Sequence, residues 1–453
     1  MKKIISFILC ITLLCSFTAC NTDSTSSEDT TTTSATTTSV QTTSSNKEET
    51  ASKPKKPSVS SKEETKSQVS SVQGGINIYH PDIDDEDFVD MDDFVTSSEG
   101  TTNFPTKSVY KISTAKELKE FADAVNSGYA FDGVIGALTT DIDLAGIDWE
   151  PIGTSANPFR GLFTGSGYTI KNLTIKNIHG SSISNGSSAY IGLFGFVEDS
   201  TIKDLHLENV DISIRSKSGL LSVTVGSIVG NMLAYDSDIC ITNCSVTGNI
   251  DVSLSGNEVV SIGGVVGQFY VNNRGVEQHM QYVHSAVNIK AEGFVVSIGG
   301  ISATLSSRDN GPSGSNISDL VYIGHINDEK VKRSHIGGLF ALSSTFYRSD
   351  IKNCFVKLSL SKTGRNQYTE LSPIIGIAVG DQATSTKELG LSNIYGCVYV
   401  DGNTKNMSFV GRKYNTVYSD NCIITESIPE DAISILTNWN LSDKSYPTFK
   451  TNS

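Results

Sequence analysis

The chain has 453 residues, a formal net charge of −14 and 38% apolar residues, enough for one large or two ordinary domains. Residues 73–105 hold nine carboxylates and no Lys or Arg, so they supply −9 of the −14 and the rest is nearly balanced. No basic stripe is left to neutralise phosphates, which argues against a nucleic-acid partner.

The chain opens on a targeting pattern: Lys2 and Lys3, an apolar run over 4–17, then Thr18-Ala19-Cys20. The run is too short for a stop-transfer helix. The segment resembles a bacterial lipoprotein signal, which implies removal of residues 1–19 and diacylglycerol on Cys20. That places the protein at the cell membrane, lipid-anchored on its extracellular face. In residues 21–72, 27 of 52 are Ser or Thr and none is aromatic, so residues 20–72 are expected to be a disordered tether. Residues 73–106 follow as an acidic linker. Its run from Asp82 to Asp87 lacks the Gly that a calcium loop requires, so the expected metal and cofactor content is none.

Folding is expected to start at Lys107 and run to residue 453. Thr114-Ala115-Lys116-Glu117 is a capping box, followed by Leu118, Phe121, Ala122 and Val125 on one helical face and Gly128 as a stop. The spacing predicts a cap helix over 114–127. A second cap is expected over 427–450, where Ser427-Ile428-Pro429-Glu430 repeats the capping logic.

Between the caps a phrase recurs: Ile170-Lys171-Asn172-Leu173, Ile202-Lys203-Asp204-Leu205, Ile241-Thr242-Asn243-Cys244, Ile317-Ser318-Asp319-Leu320, Ile351-Lys352-Asn353-Cys354 and Ile394-Tyr395-Gly396-Cys397. Self-similarity at roughly 30–45 residues marks a solenoid. The third residue is Asn, Asp or Gly, the types that turn a chain through positive φ. A second phrase alternates with it: Ile191-Gly192-Leu193-Phe194-Gly195, Ile262-Gly263-Gly264, Ile298-Gly299-Gly300 and Ile336-Gly337-Gly338. Glycine inside a strand-like run implies a bend or close backbone approach. Short strands that turn alike in each repeat predict an all-β, right-handed parallel β-helix with short capping helices, of about seven or eight coils.

Leu138 to Leu144, Trp149-Glu150-Pro151-Ile152-Gly153, Phe159 to Gly167 and Gly192-Leu193-Phe194-Gly195 together resemble the GLUG-motif proteins of bacterial cell surfaces. The likeness is close over 109–214. It implies a structural unit of adhesin-like proteins and supplies no reaction.

Enzyme signatures are absent. There is no His-Glu-x-x-His, no Gly-x-Ser-x-Gly and no phosphate loop. Asp141 and Asp143 share a face, but a role in satisfying a turn competes with catalysis there. The seven histidines show no ligand spacing and read as isolated surface residues. Cys244, Cys354 and Cys397 occupy the slot that elsewhere holds Leu, so they are either an unbridged interior stack or, with Cys240 and Cys422, sources of a disulfide.

The expected function is therefore non-enzymatic: adhesion, or binding of an extracellular glycan or protein. The alternatives are a carbohydrate-active β-helix enzyme and a purely structural envelope component. Irregular residues fall in one slot per repeat, at 231–238, 268–281, 305–316, 341–350 and 380–392, and equivalent slots of a solenoid lie on one side. Tyr235, Phe269, Tyr270, Arg274, Phe346, Tyr347 and Arg348 within these slots are the candidate ligand-binding residues.

Overall fold

The structure, a computed structural model, describes residues 88–89, 109–425, 439–440 and 448–449. It leaves out 130, 132–133, 177, 179–182, 185–187, 217–219, 221, 273–275, 308–314, 346–348, 362–369, 380–391, 396, 401–409, 414–416 and 421. Cys20, the expected anchor, the expected tether and most of the expected C-terminal cap lie outside the described residues.

The body is a parallel β-helix. One coil runs along Val259–Gly263, bends at Gly264, continues along Val266–Val271, turns, and returns along the first part of Gln278–Gly299, whose Val295–Gly299 end pairs with Val259–Gly263 as the start of the next coil. Successive coils pair in parallel and in register. Val266 lies between Val229 and Ser302, for example, within a seven-stranded sheet.

Both repeated phrases have a physical role. The Asn/Asp residue is a left-handed corner: Asn172, Asp204, Asn243, Asp319 and Asn353 have φ of 58°, 50°, 51°, 56° and 54°. The corner reverses the inside-outside alternation, so the residue after it points inward again. Leu205, Cys244, Leu320, Cys354 and Cys397 accordingly form a buried column, while Asn172 marks a separate corner, stacked on Asn209, that places Leu173 beside Val210. Before the corner, Phe163, Ile202, Ile241, Met280, Ile317 and Ile351 stack in register, all fully buried. Each such side chain contributes about 1.5–3 kcal/mol through burial.

The column exposes a coil that the phrase did not reveal. Met280-Gln281-Tyr282-Val283 holds the same register, with Tyr282 at φ 54° in the corner. Gly264 and Gly300 mark the bend, where coils approach closely. A Cβ on Gly300 would lie 2.2 Å from the Tyr322 ring and 2.3 Å from the Gly338 carbonyl oxygen.

The first coil is sealed by helix α1, Ala115–Asn126, whose capping box joins Thr114 and Glu117 reciprocally. Its buried face carries Leu118, Phe121, Ala122 and Val125. The Phe121 ring meets Tyr110, Phe131, Phe159 and Phe163 at centroid distances of 4.7–5.9 Å. Trp149 is buried nearby and donates from Nε1 to the Leu193 carbonyl.

Phe88 and Val89, inside the expected acidic linker, pair in parallel with Val109 and Tyr110. Two backbone residues of the linker thus occupy an edge that would otherwise be an open template for another strand. At the other end Trp439–Asn440 pairs antiparallel with Thr448–Phe449.

Candidate functional site

The variable loops do fall at one corner. Each follows a strand of the seven-stranded sheet and precedes the strand that carries the inward Ile column, and both flanks are in register from coil to coil. Among the described loop residues, backbone bonds from Asn272 to Ala234 and from Ile239 to Glu277 join neighbouring coils, and side chains of the coil before add to them. Asp199, in the left-handed region at φ 51°, accepts backbone hydrogen bonds from Tyr235, Asp236 and Ser237 at 2.6, 3.0 and 3.2 Å. One coil on, Asp238 accepts from the Glu277 amide at 2.7 Å. One carboxylate therefore holds each following loop.

Beneath the first of these loops lies a groove of about 580 Å³. Its floor is Ile135 and Leu162, and its rim carries Arg160, Glu198, Asp199, Asp236 and Asp238. Arg160 reaches across one coil, with Nε and Nη2 both donating to Glu198 Oε1 at 2.9 and 2.5 Å. Four carboxylates against one guanidinium leave the groove acidic, which favours a neutral polyhydroxyl or cationic ligand over an anionic one. His279, buried on the next coil, places Nε2 3.8 Å from Asp238 and 3.5 Å from Glu277. Among the described residues no group of three or more His, Cys, Asp or Glu is arranged to hold a metal ion.

The candidate residues separate. Tyr235 stands at the start of the Asp199-held loop and is half-buried. Tyr270 lies on the outer face of the seven-stranded sheet between Leu233 and Ser306, its hydroxyl 3.4 Å from Asn272 Oδ1. Phe269 is a correction: it is fully buried, stacked between Met232 and Leu305. The strand continues through Val271, so alternation that turns Tyr270 outward turns Phe269 into the core. Arg274, Phe346, Tyr347 and Arg348 lie outside the described residues.

The groove rim was missed from sequence. Arg160 and Glu198 are 38 residues apart and meet only through coil register. The histidines need a second correction. His279, His284 and His335 are 7–8% exposed, because side chains of the coils on either side cover the outer wall. Burial pushes the His284 imidazole down to about 4 and lowers His206, whose Nδ1 lies 2.8 Å from Ser245 Oγ.

Asp141 and Asp143 act on the backbone. Asp141 accepts from the Thr169 amide and pairs with Lys171, while Asp143 accepts from the Asn172 side chain and the Ala145 amide. These bonds hold both carboxyls below the usual range. None of the five cysteines of the body is in a disulfide. Cys244, Cys354 and Cys397 are buried, and burial raises the Cys244 thiol to about 12.

No protein-family model matches the chain. Over 135 residues it is 35% identical to a protein of Evansella cellulosilytica provisionally named a Gly-rich membrane protein. The matched part is 29% of this chain and 14% of that protein. In three dimensions it resembles a Bacteroides ovatus protein provisionally named an immunoglobulin A1 protease, with a TM-score of 0.52 at 18% identity, covering 76% of this chain and 92% of that one. The likeness shows a shared fold. Among the described residues no helix is long and apolar enough to cross a membrane.

Proposed function

We propose that the protein is a lipid-anchored surface protein of the GLUG type, held to the membrane through Cys20, whose β-helix head binds an extracellular glycan or protein along the loop corner. The observation that carries this reading is the alignment of one irregular loop per coil beside an acidic, polar groove, on a body otherwise built for rigidity. The lipoprotein-like start and the similarity to a protein named for the membrane support the location. A polar groove with half-exposed walls suits a sugar chain, which is recognised through hydroxyls and aromatic faces.

The runner-up is a carbohydrate-active enzyme, favoured by the carboxylates Glu198, Asp236 and Asp238 around one groove. One screen separates the two. The purified protein is passed over a panel of polysaccharides and cell-surface extracts, scoring both retention and the release of reducing ends. Retention without release is expected. Replacing Tyr270, Arg274, Tyr347 and Arg348 together by Ala should then weaken binding at least about tenfold, or about 1.4 kcal/mol, with an unchanged circular-dichroism melt. A folded quadruple variant that binds normally would move the site off this corner, and reducing-end release would favour the enzyme.

A further inference from the structure

The C-terminal coils stack three thiols. Phe355, Val398 and Ile423 are in register on successive coils, so the residues just before them, Cys354, Cys397 and Cys422, form one column. Neighbouring parallel strands lie about 4.8 Å apart, within the roughly 4.4–6.8 Å that a disulfide spans between Cα atoms. The Cys397 thiol is flanked by Cys354 on one side and Cys422 on the other, close enough for each to influence its ionisation. Cys354 and Cys397 are fully buried, and Cys422 is partly exposed.

The other two cysteines of the body provide a built-in contrast. Cys244 is flanked in its column by Leu205 and Val283, and Cys240 lies four residues earlier beside Thr201 and His279. Neither has a thiol on the adjoining coil.

We propose that Cys397 and Cys422 are a thiol oxidation site, closing to an intramolecular disulfide that staples the last parallel coil to the one before it. Cys422 is the entry point because an incoming oxidant can reach it. Its thiolate attacks a low-molecular-weight disulfide of the glutathione type, forming a mixed disulfide and releasing one thiol. Cys397, giving up its proton, then attacks Cys422 Sγ and releases the second. Two protein thiols are oxidised, one external disulfide is reduced to two thiols, and protons balance. Burial holds the Cys397 thiol well above its ordinary value, so the second step is the slower and is favoured by base. The chemistry is independent of the binding reading, while its occurrence in the cell rests on export to an oxidising compartment.

The test uses the full chain incubated with oxidised glutathione at alkaline pH, then unfolded, alkylated and digested without reductant. A linked Cys397–Cys422 peptide is expected, with Cys240 and Cys244 fully alkylated. The C-terminal coils should also resist protease at least about fivefold longer, an effect reversed by dithiothreitol. Cys354→Ala should leave the linkage in place, whereas Cys422→Ala and Cys422→Ser should each leave Cys397 free. A Cys354–Cys397 linkage, or glutathione retained on Cys422 with Cys397 alkylated, would overturn the assignment. The linkage map of the unsubstituted chain decides the matter even if a variant fails to fold.

Discussion

The corner reading makes an unusual demand on a β protein: at one exposed position glycine should be better than alanine. Asn243 sits at φ 51°, exposed, between buried Ile241 and Cys244, and its Nδ2 donates to Asp204 Oδ1 at 2.8 Å. Asn243→Ala keeps a Cβ in the left-handed region, a conformation that costs about 1–2 kcal/mol without the short polar side chain that lets Asn tolerate it, and removes an exposed hydrogen bond contributing about 0.5–1 kcal/mol. Asn243→Gly loses the same bond but relieves the backbone. The glycine variant should therefore be the more stable by about 1 kcal/mol. Native-state hydrogen exchange reads this locally, as amides of Ile241 and Ser245 that exchange about fivefold faster in the alanine variant. Asp211 is the control, an exposed residue in the strand His206–Ser216 with ordinary extended geometry. There the order should invert, with Gly below Ala by about 0.5–1 kcal/mol. The same order at both positions would refute the corner as the element that sets the repeat.

Two further outcomes follow from burial and from the start of the chain. The unfolded His284 imidazole titrates near 6.5 and the folded one near 4, so above pH 6.5 neither state binds the proton and the group is silent. As pH falls from 6.5 toward 4 the unfolded chain takes up the proton first, and stability should drop by about 1.4 kcal/mol per pH unit, about 3 kcal/mol in all. Urea midpoints between pH 7.5 and 4.5 measure this, and His284→Gln should flatten the slope; an equal slope in the variant would assign it elsewhere. If Cys20 is the anchor, Cys20→Ser should move the full-length protein from the detergent phase to the aqueous phase on phase partition. A variant that stays in the detergent phase with its leader cleaved would sink the lipoprotein reading.

What was legible in the sequence is what depends on one residue at a time. Asn, Asp and Gly announce a left-handed corner because few other side chains tolerate it, and the paired glycines announce a close approach for the same steric reason. Tyr282 hid its coil because tyrosine is not in that set, though its neighbours Met280 and Val283 keep the apolar spacing. Phe269 was misread because the segment after Gln268 lacks the repeat phrase and passes for loop. Strand alternation with Tyr270 contains the answer, but only once the strand is known to reach Val271. Arg160 with Glu198, the burial of His279 and the place of Cys422 beside Cys397 depend on which residue lies one coil away, and coil length varies through the loops. Local pattern cannot carry that register.

That same variability bears on function. Between Ile202 and Ile351 the inward residues repeat with little change, so the wall is fixed by packing and tolerates few substitutions. Among the described loop residues, Asp199 anchors one loop and Asp238 the next through side-chain bonds to backbone amides. A loop held this way can change length and composition without disturbing any ladder hydrogen bond or any core column. The division of labour, a rigid repeated wall and independently replaceable loops at one corner, is what a recognition surface requires. Among the groove carboxylates, Glu198 is carried by a strand of that wall and paired with Arg160, whereas Asp199, Asp236 and Asp238 lie outside the strands.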